Sequence, residues 1–180
     1  MRMFFVALSV TLVAALFPVV MAQAAEAGCA TPWGSVAETS SAHPDAVIVG
    51  ARAGQHPCFD RFVVVLDGAA PGYEVRYVRR FVPDASGRVV ELRGDATLAI
   101  TMLGARAHDN QGRPTYMPAS RRDMVDVSGF RTFRQAYWGG TFEGTTVVGL
   151  GVRARLPFRV FSVAGPGDRT RLVVDVAHRW

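Results

Sequence analysis

From Ala46 to the C-terminus the chain is written in short runs of β-branched and aromatic residues, each closed by Gly, Pro or Asp. This punctuation constrains the fold more than any other feature, because runs so short bury themselves only by pairing with one another. The spacing predicts strands at Ala46–Ala53, Arg61–Asp67, Tyr73–Arg80, Ala96–Leu103, Thr145–Arg153, Phe158–Val163 and Arg171–Ala177. Within them the alternation is legible. Phe62, Val64 and Leu66 share one face of their strand, and Tyr73, Val75 and Tyr77 oppose Glu74 and Arg76 on theirs. No run of ten residues or more keeps a helical period, and the one helix expected is a short one over Phe130–Tyr137. The fold class expected is all-β and mainly antiparallel, a sandwich or a distorted barrel.

The turns carry their own chemistry. Asp84-Ala85-Ser86-Gly87 and Gly165-Pro166-Gly167-Asp168 supply residues that cap a reversal or adopt positive φ, and the first is expected to join two sequence-adjacent strands. Gly149 and Gly151, inside an apolar strand, mark a bulge or a close backbone approach. The longest stretch without strand character runs over residues 104–128, and a loop of that length is either functional or loosely held. An echo links Phe59–Asp67 with Thr170–Val176, since each sets an Arg before an apolar run that meets an Asp. It suggests related edge or hairpin elements at opposite ends of the fold.

The N-terminus concerns the compartment. Arg2 precedes an apolar run from Phe4 to Val20, and Ala22-Gln23-Ala24 follows it, the order of a signal peptide with its cleavage site. Residues 1–24 are therefore expected to be removed, leaving no transmembrane segment. An uncleaved anchor and a lipidated Cys29 are the other readings; Pro18 and the Ala-x-Ala site favour cleavage over the first, and Glu26 separates Cys29 from the apolar run against the second. What remains suffices for one core: residues 25–45 read as an arm and residues 46–180 as a β domain. In an oxidising compartment Cys29 and Cys58 have each other as partners, and a disulfide would pin the arm to the body.

All 20 basic residues are arginine, and the formal charge is +5. A basic exported protein is drawn to the anionic polymers and lipids of an envelope, and nucleic acid is not an expected partner there.

The motifs of familiar chemistries are missing. His43, His56, His108 and His178 lack metal-ligand spacing, so neither a metal nor another cofactor is expected. There is no Gly-x-Ser-x-Gly elbow, and Gly149-Leu150-Gly151 is half of a dinucleotide fingerprint leading into a strand. His56 and Asp60 flank Cys58 in what reads as a disulfide-tethered turn, with Asp60 capping or pairing with Arg61 or another arginine. Asp123 with Asp126, and Glu143, are the carboxylates a sugar hydrolase could use. No catalytic residue is assigned.

The richest constellation is Phe130–Gly144. Aromatic faces stack on sugar rings, while Arg and Glu bond hydroxyls, carboxylates and amides. Phe130, Phe133 and Tyr137 stand at helical spacing and read as core; Trp138 and Phe142, beside Gly139-Gly140, are expected to be exposed. Arg134, Trp138, Phe142 and Glu143 are thus the candidate ligand-binding residues.

Gly54-Gln55-His56-Pro57-Cys58-Phe59-Asp60-Arg61, Pro71–Val78, Gly144 with Gly149–Arg153, Leu156–Phe161 and Leu172–His178, with Cys29 and Trp33-Gly34-Ser35 in the arm, resemble the AMIN-like domains of secreted actinobacterial proteins. The resemblance implies a β-sandwich related to the AMIN modules of cell-wall amidases and secretins, which are non-catalytic and target peptidoglycan. The function expected is a secreted, non-catalytic envelope module that binds peptidoglycan or an associated anionic polymer. Its alternative is an assembly factor docking an envelope enzyme through a sheet edge.

Overall fold

In the computed structural model, residues 28–29, 31–83 and 87–180 are described. The expected signal peptide and residues 84–86 of the first predicted turn lie outside them. Ten strands run in chain order: β1 (Glu38–Ser40), β2 (Ala46–Gln55), β3 (Phe59–Asp67), β4 (Gly72–Val78), β5 (Ala96–Leu103), β6 (Ala105–Arg106), β7 (Phe133–Phe142), β8 (Thr145–Val152), β9 (Phe158–Ala164) and β10 (Arg169–Ala177). One sheet has the order β1-β4-β5-β8-β7 and the other β6-β2-β3-β10-β9, and their pairings are antiparallel except that of β6 with β2. Phe62, Val64 and Leu66 of β3 and Leu172, Val174 and Val176 of β10 face Leu98, Ile100, Val148 and Leu150 of the opposite sheet across a dry core. The expected all-β sandwich is the observed one.

No helix occurs among the described residues, and the segment expected to be a short one is strand β7. The reason is a bulge at Arg134, between the register pairs Phe133↔Val152 and Gln135↔Gly151. The inserted residue puts Phe133 and Ala136 on the core face, while Tyr137, at helical spacing from Phe133, lies on the other face against Phe81. The echoing segments also lie differently than expected. They are β3 and β10, hydrogen-bonded to each other along their whole length in the interior of one sheet. Both strands carry apolar residues on their two faces, and so require neighbours on either side.

The two outer faces differ. On the β1-β4-β5-β8-β7 sheet, the connection from β4 to β5 lies down across β8. A Cβ on Gly149 would come within 2.7 Å of Leu92 and 2.9 Å of Phe81, and one on Gly151 would strike the Arg93 carbonyl. These are the close approaches that glycines in an apolar strand announce. Gln135, fully buried, fastens the cover: it accepts from the Arg93 N–H at 2.8 Å and donates to the Arg122 carbonyl at 2.7 Å.

The long 104–128 segment is packed. Met124 and Val127 enter the core, and along the β7 edge Met124 donates to the Ala136 carbonyl and Trp138 to that of Arg121. It covers a strand edge that would otherwise be open to foreign pairing. On the other side, the arm runs along β9, where Phe158 donates to the Gly34 carbonyl and Val160 to the Glu38 carboxylate, before joining the opposite sheet as β1.

Candidate functional site

Among the described residues the outer face of the β6-β2-β3-β10-β9 sheet carries no such covering loop, and its side chains follow from register. Where β2, β3, β10 and β9 run side by side, Gly54, Arg61, Asp175 and Arg159 form one row; Arg52, Val63, Val173 and Phe161 form the next; Gly50, Val65, Arg171 and Val163 form a third. Val63 and Val173 point away from the core yet are buried, the mark of arginine stems lying over them.

In the first row Asp175 has no solvent exposure, and two guanidinium groups close on it. Arg61 donates from Nε at 2.7 Å and from Nη2 at 2.9 Å, one bond to each carboxylate oxygen, and Arg159 donates from Nε to Oδ2 at 2.9 Å. Asp175 holds Arg61's proton more tightly than usual, chiefly through that hydrogen bond. A buried carboxylate satisfied on both oxygens fixes its two partners in place. The guanidinium planes in turn lie against aromatic rings. Arg159 sits 4.3 Å from the Trp33 ring centre and 5.0 Å from that of Phe161, while Arg61 lies 5.2 Å from Phe59. Trp33 meets Phe59 edge to face at 5.6 Å, and the Cys29–Cys58 disulfide ties Trp33's arm to the turn preceding Phe59. The result is a half-exposed platform of aromatic edges and guanidinium groups.

Beneath one end of this platform Asp60, also without exposure, accepts from the backbone N–H groups of Thr132 and Phe133 at 2.6 and 3.0 Å and lies 2.9 Å from Nε2 of His178. Of the two expected roles, capping and pairing with an arginine, Asp60 takes the first, toward these backbone N–H groups, and not the second. Arg61, its sequence neighbour, points to the opposite face of β3 and belongs to Asp175. His56 stacks on Phe59, with ring centres 4.5 Å apart.

The four residues singled out in Phe130–Gly144 are not brought together. Arg134 and Phe142 stand near opposite ends of β7, about 26 Å apart at the rise of a strand. Arg134 is folded back on its own loop, donating to the carbonyls of Phe130 and Phe133. Trp138, expected to be exposed, is only 7% exposed and packs edge to face on Tyr116 at 5.3 Å. The exposure permitted by the glycine pair falls one step later, where a second bulge between Trp138 and Gly140 reverses the strand's phase. Phe142 is 49% exposed and Glu143, at φ 47°, sits beside it on the β7–β8 turn.

Asp123 and Asp126 line one cavity of about 360 Å³ with Arg93 and Arg134. Asp123 is paired with Arg93, and the Ser128 N–H holds the Asp126 carboxyl below its ordinary range, the direction opposite to that of a general acid. Among the described residues no group of three or more His, Cys, Asp or Glu side chains is placed to hold a metal ion, and no helix is long and apolar enough to cross a membrane.

The platform was missed in the sequence because its members come from four separate segments. The available signal lies one residue beyond the echo, for Arg61 and Asp67 of β3 share their spacing with Arg169 and Asp175 of β10. Antiparallel pairing sets each arginine against the other strand's aspartate.

A protein-family model described as the AMIN-like domain matches residues 46–178. No curated protein matches the chain.

Proposed function

The chain belongs to the AMIN-like domain family, and from that premise we propose that it is a non-catalytic module of the cell envelope that binds peptidoglycan or an anionic polymer associated with it. The observation that carries this reading is the uncovered face on which Arg61 and Arg159, clamped by Asp175, stand among Trp33, Phe59 and Phe161. Aromatic edges accept sugar rings, and guanidinium groups accept carboxylate or phosphate in a two-pronged way. Because the disulfide and the Asp175 clamp hold these groups beforehand, little side-chain freedom is lost on binding. Phe142 and Glu143, at the far hairpin, are a separate exposed pair and not part of this platform.

The test is sedimentation of the disulfide-bonded protein with purified, protein-free sacculi at low and high salt. The Debye length falls from about 10 Å at 0.1 M to about 3 Å at 1 M. Binding that rests on stacking as well as charge persists in part at 1 M, and Phe161→Ala weakens that residue of binding by about 1–3 kcal/mol. Failure of the folded protein to sediment with sacculi in low salt overturns the reading, and leaves an assembly factor that docks an envelope protein.

A further inference from the structure

Beyond the aromatic platform the same face continues into two adjoining depressions of about 210 and 300 Å³, both lined by Arg52 and Arg171. Arg61 opens onto the first and Arg169 onto the second, but each of these is already matched with a carboxylate, Asp175 and Asp67 respectively. Arg52 and Arg171 have no such match: among the described residues neither guanidinium group makes an ion pair or a hydrogen bond, and no carboxylate lines either depression. Arg76, Arg93, Arg106 and Arg113, elsewhere on the surface, each have an acidic partner.

Register places the two unmatched arginines on either side of β3. Arg52 of β2 is opposite Val63, Arg171 of β10 is opposite Val65, and Gly50 stands on the other side of Val65 with no side chain to fill the space. From strand spacing and rise their Cα atoms are about 12 Å apart, so two extended guanidinium groups can close on one anionic group seated over Val65. The charge left uncompensated is arranged as a track along the sheet, running from the second depression through the first to the platform.

We propose that Arg52 and Arg171 form an anion subsite for a repeating phosphodiester polymer, a glycopolymer whose sugars reach the aromatic platform while its phosphates occupy the two depressions. The proposal rests on the envelope-binding reading and names the ligand class for that face. A linear polymer with a charge on every repeat meets successive cations along the track, whereas the carboxylates of short peptide branches stand singly. A phosphodiester oxygen pair also fits the arginine fork, and the valine floor excludes water from the pair.

The experiment measures binding of soluble poly(glycerol phosphate) to the disulfide-bonded protein across a salt series, with polygalacturonate at equal charge as the carboxylate control. Neither guanidinium group has a partner among the described residues and glutamine keeps part of each stem over the valines, so Arg52→Gln/Arg171→Gln is expected to stay folded, which its melt checks. It should lose at least tenfold in affinity at 0.1 M salt, and the slope of log affinity against log salt should fall by about two, one for each phosphate contact. Arg79→Gln/Arg131→Gln, which removes the same charge from exposed positions elsewhere, should stay within about twofold of the parent. Equal losses in the two double variants overturn the subsite, as does polygalacturonate binding as tightly as the phosphodiester. If poly(glycerol phosphate) is ignored while sacculi stripped of such polymers still bind, the subsite fails and the envelope reading stands. If neither binds, both fail.

Discussion

Arg61 of β3 stands directly across from Asp175 of β10, and at the other end of the same strand pair Asp67 stands across from Arg169. Only the first pair is buried: Asp175 has no exposed side-chain surface, while Asp67 and Arg169 are each 53% exposed. The same chemical pair therefore does different work at its two positions. The exposed pair is worth at most about 1 kcal/mol. The buried one organises a surface, because Asp175 also receives Arg159 from β9 and thereby fixes both guanidinium groups among the aromatic rings.

Removing the Asp175 charge should accordingly cost more than removing that of Asp67. Asp175→Asn is expected to lower stability by about 3 kcal/mol, since it leaves two guanidinium groups without their anion. Asp67→Asn should change it by less than about 1 kcal/mol. Urea unfolding of the two variants gives the comparison, and equal midpoints would mean that the clamp contributes nothing to the fold.

Trp138→Ala is expected to destabilise the protein by about 3–5 kcal/mol, as truncation of a buried aromatic does. Its effect on ligand binding, measured where the variant is still folded, should be small, because the ring faces Tyr116 and the core. A folded variant of unchanged stability that has lost its affinity for sacculi would return Trp138 to the ligand.

Breaking the Cys29–Cys58 bond, which joins residues 29 apart in sequence, should lower stability by about 3–4 kcal/mol on the chain-entropy account. Non-reducing mass analysis should find no free thiol in the native protein. Reduction should also release Trp33 from Phe59 and Arg159, so Trp fluorescence is expected to change well below the global unfolding midpoint. Fluorescence that changes only with global unfolding would show that the arm holds its place without the bond.

Glu38 gives stability a dependence on pH. Burial raises its carboxyl above the ordinary value of 4.5, and the Val160 N–H opposes that rise in part. The folded state thus keeps a proton that the unfolded state has released, and the stability this contributes is present in acid and lost as pH rises through the folded value. In Glu38→Gln the amide oxygen still accepts from Val160 and nothing titrates. Melts from about pH 4 to about pH 7 should show the variant gaining on the parent as pH rises. A constant difference, or one that moves the other way, is the contrary result.

Much of the fold was legible. Ala96–Leu103 was read to its ends and six other strands nearly so, because each is a short apolar run between turn residues, and that pattern is a property of neighbours in sequence. What escaped was whatever interrupts the period. Phe130, Phe133 and Tyr137 suggest a helix by their spacing, but β7 is a bulged strand that sends Phe133 and Tyr137 to opposite faces, and so short a run cannot show the difference. Strands β1 and β6 have three and two residues, too few to carry any period.

The candidate site was less legible for a related reason. Asp60 is expected to cap or to pair with Arg61 or another arginine, yet adjacent residues in a strand point to opposite faces, which takes Arg61 away from it. Its partners, His178 and the amides of Thr132 and Phe133, are far away along the chain. The sequence by itself determined the all-β class, the disulfide partners and the strands that carry Arg61, Arg159, Phe161 and Asp175, since all three depend on residue type and local alternation. Only the tertiary structure decided which sheet face the described residues leave uncovered, because that depends on Gly149 and Gly151 admitting the β4–β5 connection on one side while the other side receives no such loop from them. It also decided that Asp175 serves two arginines and that Arg52 and Arg171 have no carboxylate among the described residues, because partnership between strands is set by register, and register is a property of the whole sheet.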